Sequence, residues 1–290
     1  MAGNWKKAGV IGCGLMGSGI VEVCARAGLD VVVREDSAPF LEKGLARVKQ
    51  SMDTGVERKK MAPEDRDQAW ARVKGTTSFD DFKDCDVVIE AITENLDAKR
   101  AVFTALDKVV KAGALFASNT SSISITEMAA CTSRPDRFVG LHFFNPPPVM
   151  KLLEIVVGVK TSDETLAEAR AFAEKCGKIS VVAKDTPGFI VNYLLVPYLN
   201  AAVKLLASGV ASRDDIDTAI KLGLGHPMGP IELLDYVGID TTVFIGDVLF
   251  DAFKQPEMAA PPAMRNMMNA GQNGRKSGKG FYDWSSGQPR

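Results

Sequence analysis

The stretch VIGCGLMGSGI, residues 10–20, decides how the first half of the chain folds. Its glycines Gly12, Gly14 and Gly17 have the GxGxxG spacing found where a strand turns into a helix beside a dinucleotide. There the first glycine permits a tight turn, the second lets the backbone approach a pyrophosphate, and the third lets the helix pack on the strand. Because this spacing also arises by chance, the flanking sequence decides its meaning.

The flanking sequence has the strand–helix–strand pattern that such a loop requires. The segment AGVIG, residues 8–12, is a short apolar run that predicts a buried strand. A helical pattern follows up to Gly28, and DVVVRE, residues 30–35, predicts a second strand that ends in Glu35. An acidic residue about 20 positions beyond the loop binds the adenosine ribose hydroxyls and favours NAD over NADP. The predicted cofactor site includes Gly12, Gly14, Leu15, Met16, Gly17 and Glu35.

Arg34 offers a different interpretation of the same strand end. A guanidinium at this point of the chain could bind the 2′-phosphate of NADP. Adjacent residues of a strand point to opposite faces, so Arg34 and Glu35 are not expected to face the same ligand. We therefore expect NAD.

Strand and helix patterns alternate through the first part of the chain. Further strands are predicted in CDVVIEAI, ALFASN and RFVGLHF, and a long charged helix is predicted from about residue 39 towards residue 60. This alternation indicates parallel βαβ units in a doubly wound sheet. After about residue 185 the pattern is helical, with one long apolar helix opened by Pro187 and closed by Gly209, and with Ser212 as the cap of the next helix.

The predicted fold class is therefore α/β, with a Rossmann-type doubly wound sheet followed by an all-α C-terminal domain. The predicted NAD-binding domain covers residues 1–185, and the helical substrate and dimerisation domain covers residues 186–290. A strand-like pattern returns only in GKGFYDW, near the end of the chain.

Composition excludes several classes of function. The 290 residues are 46% hydrophobic and 24% charged with a net charge of −1, so no nucleic-acid partner is expected. The five cysteines lack the spacing of a metal site, so no metal is expected, and they indicate free thiols in a reducing compartment. The chain shows no apolar run of about 18 residues and no signal-peptide pattern, so we expect a cytoplasmic protein without a membrane partner.

The stretch GLHFFNPPPVMKLLEIV, residues 140–156, carries the candidate acid–base chemistry. His142 ends a predicted strand, a rigid triple proline follows, and Glu154 lies in the next apolar run. A strand–turn–strand layout can bring these two side chains together, where the carboxylate would orient the imidazole and stabilise its charged form. The other histidine, His226, lies in a Gly/Pro-rich turn and is expected to be structural.

Several motifs in one order make the chain resemble the 3-hydroxyacyl-CoA dehydrogenase family, and the stand-alone 3-hydroxybutyryl-CoA dehydrogenases most of all. The resemblance covers essentially the whole chain and includes ASNTSSISIT, RFVGLHFFNPPPVMKLLEIV, KDTPGFIVNYLLVPYLNAA, LGHPMGPIELLDYVGID and GRKSGKGFYDW. It implies reversible, NAD-dependent oxidation of a (3S)-3-hydroxyacyl-CoA to the 3-oxoacyl-CoA by a homodimer. One departure is Glu35, where the family usually has aspartate.

The resemblance also implies a role for each matching residue. His142 would be the general base, Glu154 its orienting partner, and Ser121 and Asn192 the groups that position the substrate oxygen. Contacts to NAD would come from Glu94, Lys99, Ser121, Asn145 and Lys276. Coenzyme A would be held by Ser51 and the basic cluster Arg58, Lys59 and Lys60, with the choice between the two lysines open.

Two other functions fit parts of the pattern. A dehydrogenase of the same build could act on a free sugar acid, as in the related gulonate dehydrogenases and lens crystallins, with less need for a basic surface. A non-catalytic NAD-binding protein would need the glycine loop and Glu35 but could lose His142, Glu154 or Asn192, and all three are present.

Overall fold

The computed structural model describes residues 5–290, which form two compact units. The first four residues, part of the N-terminal stretch in which no signal peptide was expected, lie outside the described residues. The first unit ends at Thr186 and the second spans Pro187–Arg290. Strands and helices alternate in the first unit, whereas the named elements of the second are helical, so the predicted fold class is confirmed.

The first unit is built on one eight-stranded sheet. Its order is β3-β2-β1-β4-β5-β6-β7-β8, and all neighbours are parallel except β6 and β7. The order reverses between β1 and β4, and ligands of such sheets bind outside the carboxyl ends of the strands at that point. The strands are β1 (Lys7–Ile11), β2 (Asp30–Arg34), β3 (Val73–Thr76), β4 (Val87–Glu90), β5 (Leu115–Ser118), β6 (Phe138–Phe143), β7 (Leu152–Val157) and β8 (Ile179–Lys184).

Within residues 5–186, six α-helices accompany this sheet: α1 (Leu15–Arg26), α2 (Ala38–Glu57), α3 (Pro63–Ala71), α4 (Leu96–Val109), α5 (Ile125–Ala129) and α6 (Asp163–Lys175). The long helix predicted towards residue 60 ends at Glu57, and α3 and β3 follow it. Neither α3 nor β3 was predicted. The strand β3 is a short edge strand whose sequence VKGT lacks a buried apolar run.

The second unit contains α7 (Val191–Ala207), α8 (Arg213–Leu224), α9 (Pro230–Val237), α10 (Ile239–Phe253) and α11 (Pro262–Asn269). The prediction that this helix begins at Pro187 was wrong, because α7 begins one turn later, at Val191. Gly188 and Phe189 have φ angles of +77° and +50°, which a right-handed helix excludes. The segment GKGFYDW makes only isolated bridges instead of a strand.

Two buried aspartates hold this C-terminal segment inside the second unit. Asp235 accepts hydrogen bonds from the backbone N–H of Phe281 and Tyr282 and from the indole of Trp284, at 2.8–3.0 Å. Asp217 accepts the Tyr282 hydroxyl at 2.6 Å. Buried carboxylates satisfied in this way fix the segment without a sheet.

No helix within residues 5–290 is both long and apolar enough to cross a membrane. The same residues contain no group of three or more His, Cys, Asp or Glu side chains arranged to hold a metal ion. His226 is exposed between α8 and α9, with its Nδ1 3.5 Å from the Tyr198 hydroxyl.

The cap of α8 provides a test of the second unit's stability. Ser212 is the predicted N-cap, and its Oγ accepts the N–H of Asp215 at 3.1 Å and donates to the Asp215 carboxylate at 2.6 Å. We expect Ser212→Ala to lower the free energy of unfolding by about 1 kcal/mol, because the first turn loses its capping acceptor. Chemical denaturation measures the change, with Ser212→Asp as the variant that should retain most of the stability.

Candidate active site

The glycine loop has the geometry that its sequence predicts. Gly12 has a φ of +90°, and a side chain there would meet the carbonyl oxygen of Ala91. A Cβ on Gly17 would lie 1.9 Å from the carbonyl oxygen of Gly12, so helix and turn touch at this point. Gly14 is exposed, with open space where its Cβ would be. Two glycines therefore serve packing, and Gly14 leaves room for a phosphate at the start of α1.

Glu35 follows β2 and faces this loop. Its Oε1 accepts the backbone N–H of Cys13 at 2.5 Å, while Arg47 donates to the Cys13 carbonyl at 3.0 Å. Burial, together with the Glu35 charge, raises the pKa of the Cys13 thiol to about 12, against the opposing charge of Arg47. The carboxylate thus lies beside the glycine loop, where the ribose of a dinucleotide is recognised.

Arg34 is occupied by other groups. Its guanidinium donates to Asp36 at 2.8 Å and to the Thr77 carbonyl at 3.1 Å, and it lies 4.0 Å over the ring of Phe79. A neighbouring carboxylate makes this position less favourable for a 2′-phosphate. The arrangement agrees with the expectation of NAD.

His142 and Glu154 lie directly opposite each other on β6 and β7. The two residues are register partners of the antiparallel pair, and His142 Nδ1 lies 2.6 Å from Glu154 Oε2. Both side chains are buried, with 8% and 0% of their surfaces exposed. A carboxylate at Nδ1 orients the imidazole and leaves the other nitrogen, Nε2, pointing away from it.

Three residues that the sequence analysis missed hold the turn between β6 and β7. Asn119 Oδ1 accepts the N–H of Phe143 at 2.9 Å. Lys178 donates to the carbonyls of Pro147 and Met150 at 2.5 and 2.8 Å. Gly19 of α1 lies so close to Pro147 that a Cβ would approach its ring to 2.6 Å. No motif marks Asn119 or Lys178. Gly19 could have been noticed, because it is a fourth glycine in GCGLMGSG beyond the three that the GxGxxG spacing requires.

Ser121 lies in the loop after β5, near the carboxylate of Glu94. Glu94 Oε1 accepts the N–H of Ser121 at 3.0 Å, and the Ser121 hydroxyl is 3.5 Å from the same atom. Lys99 lies behind Glu94 with 1% of its side chain exposed. Asn145 is exposed in the turn after β6, and Leu15 and Met16 follow the glycine loop at the surface of α1.

The predicted coenzyme A residues lie along and after α2. Ser51 is exposed on this helix, and Arg58, Lys59 and Lys60 are exposed where it ends. Lys59 has a φ of +56°, and the N–H groups of Lys59 and Lys60 close the helix on Val56 and Gly55. Glycine is the usual residue at such a left-handed helix end, so a lysine there is strained.

Two predicted residues belong to the second unit. Asn192 is buried in the first turn of α7. Lys276 lies in a short turn after α11, where its Nζ is 2.6 Å from Asp240 and half of its side chain is exposed.

A histidine–carboxylate pair at the same sheet edge as a dinucleotide loop can take a proton while a nicotinamide ring exchanges a hydride. The carboxyl ends of β1, β2, β5 and β6 meet at that edge and carry the glycine loop, Glu35, Ser121 and His142. This arrangement defines the molecule as a nicotinamide-dependent dehydrogenase by class.

The comparisons with known proteins agree with this class and narrow it. Residues 7–186 match the family described as "3-hydroxyacyl-CoA dehydrogenase, NAD binding domain", and residues 188–284 match "3-hydroxyacyl-CoA dehydrogenase, C-terminal domain". The chain belongs to the 3-hydroxyacyl-CoA dehydrogenase family. It is an NAD-dependent oxidoreductase, and both the resemblance and the cofactor prediction are confirmed.

Individual relatives match over nearly their whole lengths. A 3-hydroxybutyryl-CoA dehydrogenase of Bradyrhizobium diazoefficiens is 43% identical over 100% of this chain and 99% of its own. The mitochondrial hydroxyacyl-coenzyme A dehydrogenase of Sus scrofa is 46% identical over 96% and 91%. The crystal structure of (S)-3-hydroxybutyryl-CoA dehydrogenase from Ralstonia eutropha has a TM-score of 0.91 at 45% identity, covering 97% of this chain and 99% of that one.

The glycine loop permits a paired test of its two kinds of glycine. We expect Gly14→Ala to leave the melting temperature nearly unchanged and to weaken NADH binding at least about tenfold, because the methyl group occupies the phosphate approach. Gly17→Ala should instead destabilise the fold by more than about 3 kcal/mol, since its Cβ would overlap the Gly12 carbonyl. Calorimetry and NADH fluorescence titration separate the two effects, and equal destabilisation by both substitutions would contradict this division.

Proposed function

We propose that the protein catalyses the reversible oxidation of short-chain (3S)-3-hydroxyacyl-CoA, with 3-hydroxybutyryl-CoA as the principal substrate. The observation that carries this proposal is the buried pair of His142 and Glu154, 2.6 Å apart at the edge where the dinucleotide loop lies. The substrate follows the names of the bacterial relatives. A direct test compares NADH oxidation with acetoacetyl-CoA and with free acetoacetate. Equal rates would support a free-acid dehydrogenase instead.

His142 acts as the general base in this proposal. Its Nε2 takes the proton of the 3-hydroxyl group, and Glu154 at Nδ1 fixes the tautomer and stabilises the imidazolium that results. NAD, when bound, supplies the acceptor for the hydride that leaves C3. In the reverse direction the imidazolium returns the proton to the 3-oxo group, so one pair serves both directions.

Other residues hold the reactants. Gly12, Gly14 and Gly17 shape the phosphate site, and Glu35 lies where the ribose hydroxyls are bound. We assign the Ser121 hydroxyl to the substrate oxygen, where a fixed dipole helps most as charge develops. For Asn192 the family resemblance suggests a contact to the same oxygen, and for Lys276 and Asn145 contacts to the dinucleotide.

Lys59 is our choice for the lysine that binds coenzyme A. Its left-handed backbone costs about 1 kcal/mol relative to glycine, and its side chain is exposed where α2 ends. Arg58 and Lys60 flank it, which gives a compact positive surface for several phosphates. Ser51 lies about two helical turns before Lys59, on α2.

We propose a homodimer, built on the helical unit. This unit exposes large apolar side chains that a monomer would leave in water, among them Leu194, Val210, Leu222, Leu224 and Phe244. Burying such a surface is the usual reason for obligate association.

Replacement of the base tests the acid–base assignment. We expect His142→Gln to reduce kcat by about 10²–10⁴ with acetoacetyl-CoA, because an amide cannot exchange the proton. NADH affinity should stay within about threefold of the native value, since the imidazole does not hold the dinucleotide. Stopped-flow turnover and NADH titration measure the two quantities. Native turnover in this variant would remove His142 from the mechanism.

Replacement of Lys59 by glycine separates strain from function. We expect Lys59→Gly to raise the free energy of unfolding by up to about 1 kcal/mol, because glycine accepts the left-handed conformation. The KM for acetoacetyl-CoA should rise about tenfold through loss of a charge-assisted phosphate contact, with the KM for NADH unchanged.

Lys254 provides the matched control, because it caps α10 with a φ of +55°. Lys254→Gly should stabilise the protein to a similar degree without changing either KM. A Lys59→Gly variant with native KM for acetoacetyl-CoA would transfer the assignment to Lys60.

A further inference from the structure

Three charged side chains meet beside the loop after β5 that contains Thr120, Ser121 and Ser122, which we call the serine loop. Lys99 Nζ lies 2.6 Å from Glu90 Oε1 and 3.2 Å from Glu94 Oε2. Glu90 and Lys99 are buried, with 0% and 1% of their side chains exposed. Taking such groups out of water costs several kcal/mol per ion, and their attraction offsets this only when the hydrogen bonding is complete. A buried ion pair is therefore poor support for stability, which raises the question of what else it does.

Glu90 ties together the ends of two neighbouring strands. Its Oε1 accepts the N–H of Ile92 at 2.7 Å as well as the Lys99 ammonium. Its Oε2 accepts the Ser118 hydroxyl at 2.6 Å, and the Ser118 oxygen accepts the N–H of Thr120 at 3.2 Å. The carboxylate thus links the end of β4 to the start of the serine loop.

Glu94 holds the serine loop itself through one oxygen. Oε1 accepts the hydroxyl of Thr120, the N–H of Ser121 at 3.0 Å and the hydroxyl of Ser122 at 3.2 Å. The hydroxyl of Ser121 is more distant, at 3.5 Å. Glu94 therefore binds Ser121 mainly through the backbone N–H of Ser121. The Ser121 hydroxyl makes the longest and weakest of these hydrogen bonds.

Lys99 determines which oxygen of Glu94 accepts the hydrogen bonds of the serine loop. The ammonium takes Oε2, which leaves Oε1 for the loop, and Glu90 holds the ammonium from the other side. The pKa of Glu94 lies below its usual range. Burial pushes it up, but the Lys99 charge and the donors from Thr120 and Ser121 outweigh burial. The carboxylate consequently stays ionised and can accept all of the loop's donors.

We propose that Glu90 and Lys99 are positioning residues, which act through Glu94 to hold the Ser121 hydroxyl in place for the substrate oxygen. The inference rests on the role proposed above for Ser121. It gives Lys99 a different function from the direct NAD contact that the family resemblance implies, because an ammonium that is 1% exposed and shared by two carboxylates presents little to a ligand.

The test is a double variant, Glu90→Gln with Lys99→Met, which removes one negative and one positive charge and so keeps the net charge of the cluster. We expect kcat for acetoacetyl-CoA reduction to fall about 10–10²-fold, because a misplaced hydroxyl loses much of its effect on the developing charge. The Kd for NADH should stay within about threefold. Lys108→Met, on the exposed side of α4, is the control and should change neither.

The pH profile should also change in the double variant. Among the described residues, Lys99 is the charged side chain that pairs with Glu94, and Glu90 pairs with Lys99 in turn. The loop donates to Glu94 through hydroxyl and amide groups. Without Lys99, burial remains and the pKa of Glu94 rises. Protonation then removes acceptor capacity as the pH falls, so activity should be lost at a higher pH than in the native enzyme.

A mutant cycle with Ser121→Ala separates the possible outcomes. If the charged residues act through Ser121, adding the double variant to Ser121→Ala lowers kcat by less than about twofold further. Additive losses, an unchanged kcat and pH profile, or a loss confined to NADH affinity would each overturn the proposal. A native kcat in Ser121→Ala alone would instead refute the proposed role of Ser121.

Ser118→Ala serves the same cycle if the double variant does not fold. It removes only the hydroxyl between Glu90 and the N–H of Thr120. We expect a decrease in kcat of about 3–10-fold, absent in the Ser121→Ala background. A decrease of the same size in both backgrounds would overturn the proposal.

Discussion

The antiparallel pairing of β6 with β7 is the constraint on which the candidate site depends. The other neighbouring strands of the sheet run parallel, and parallel neighbours need a long crossover between them. The reversal lets a short turn, residues 144–151, bring Glu154 opposite His142. Side chains alternate between faces along a strand, so a slip of one residue would send the carboxylate to the other side of the sheet. The proposed acid–base pair therefore depends on the register of β6 and β7.

Helix α1 connects the glycine loop with the turn between β6 and β7. Its N-cap is Gly14, which we assign to the phosphate approach, and Gly19 on the next turn lies against Pro147 of the β6–β7 turn. Lys178 fixes the same turn from the start of β8. The glycine loop and the β6–β7 turn therefore both contact α1, so one helix fixes the positions of both.

Sequence patterns were sufficient where a feature is local. The strands β1, β2 and β4–β7 are apolar runs with clear turn signals, and the glycine loop and the His142–Glu154 juxtaposition follow from spacing and a rigid turn. The pattern was insufficient for β3 and β8, most of whose residues are partly buried or exposed. It also could not show that Lys99 is enclosed by Glu90 and Glu94, because that contact depends on how α4 packs beside the ends of β4 and β5.

The thiol of Cys13, inside the glycine loop, is poorly reactive. Electrophiles and peroxides attack the thiolate form of cysteine, and a thiol with a pKa of about 12 supplies almost none of it at neutral pH. Its sulfur also lies against Gly44 of α2, where even a methyl group would approach it to 2.6 Å. An adduct would find no room there. The thiol inside the loop that we assign to the pyrophosphate is consequently protected from oxidation and alkylation by the same packing that shapes the loop.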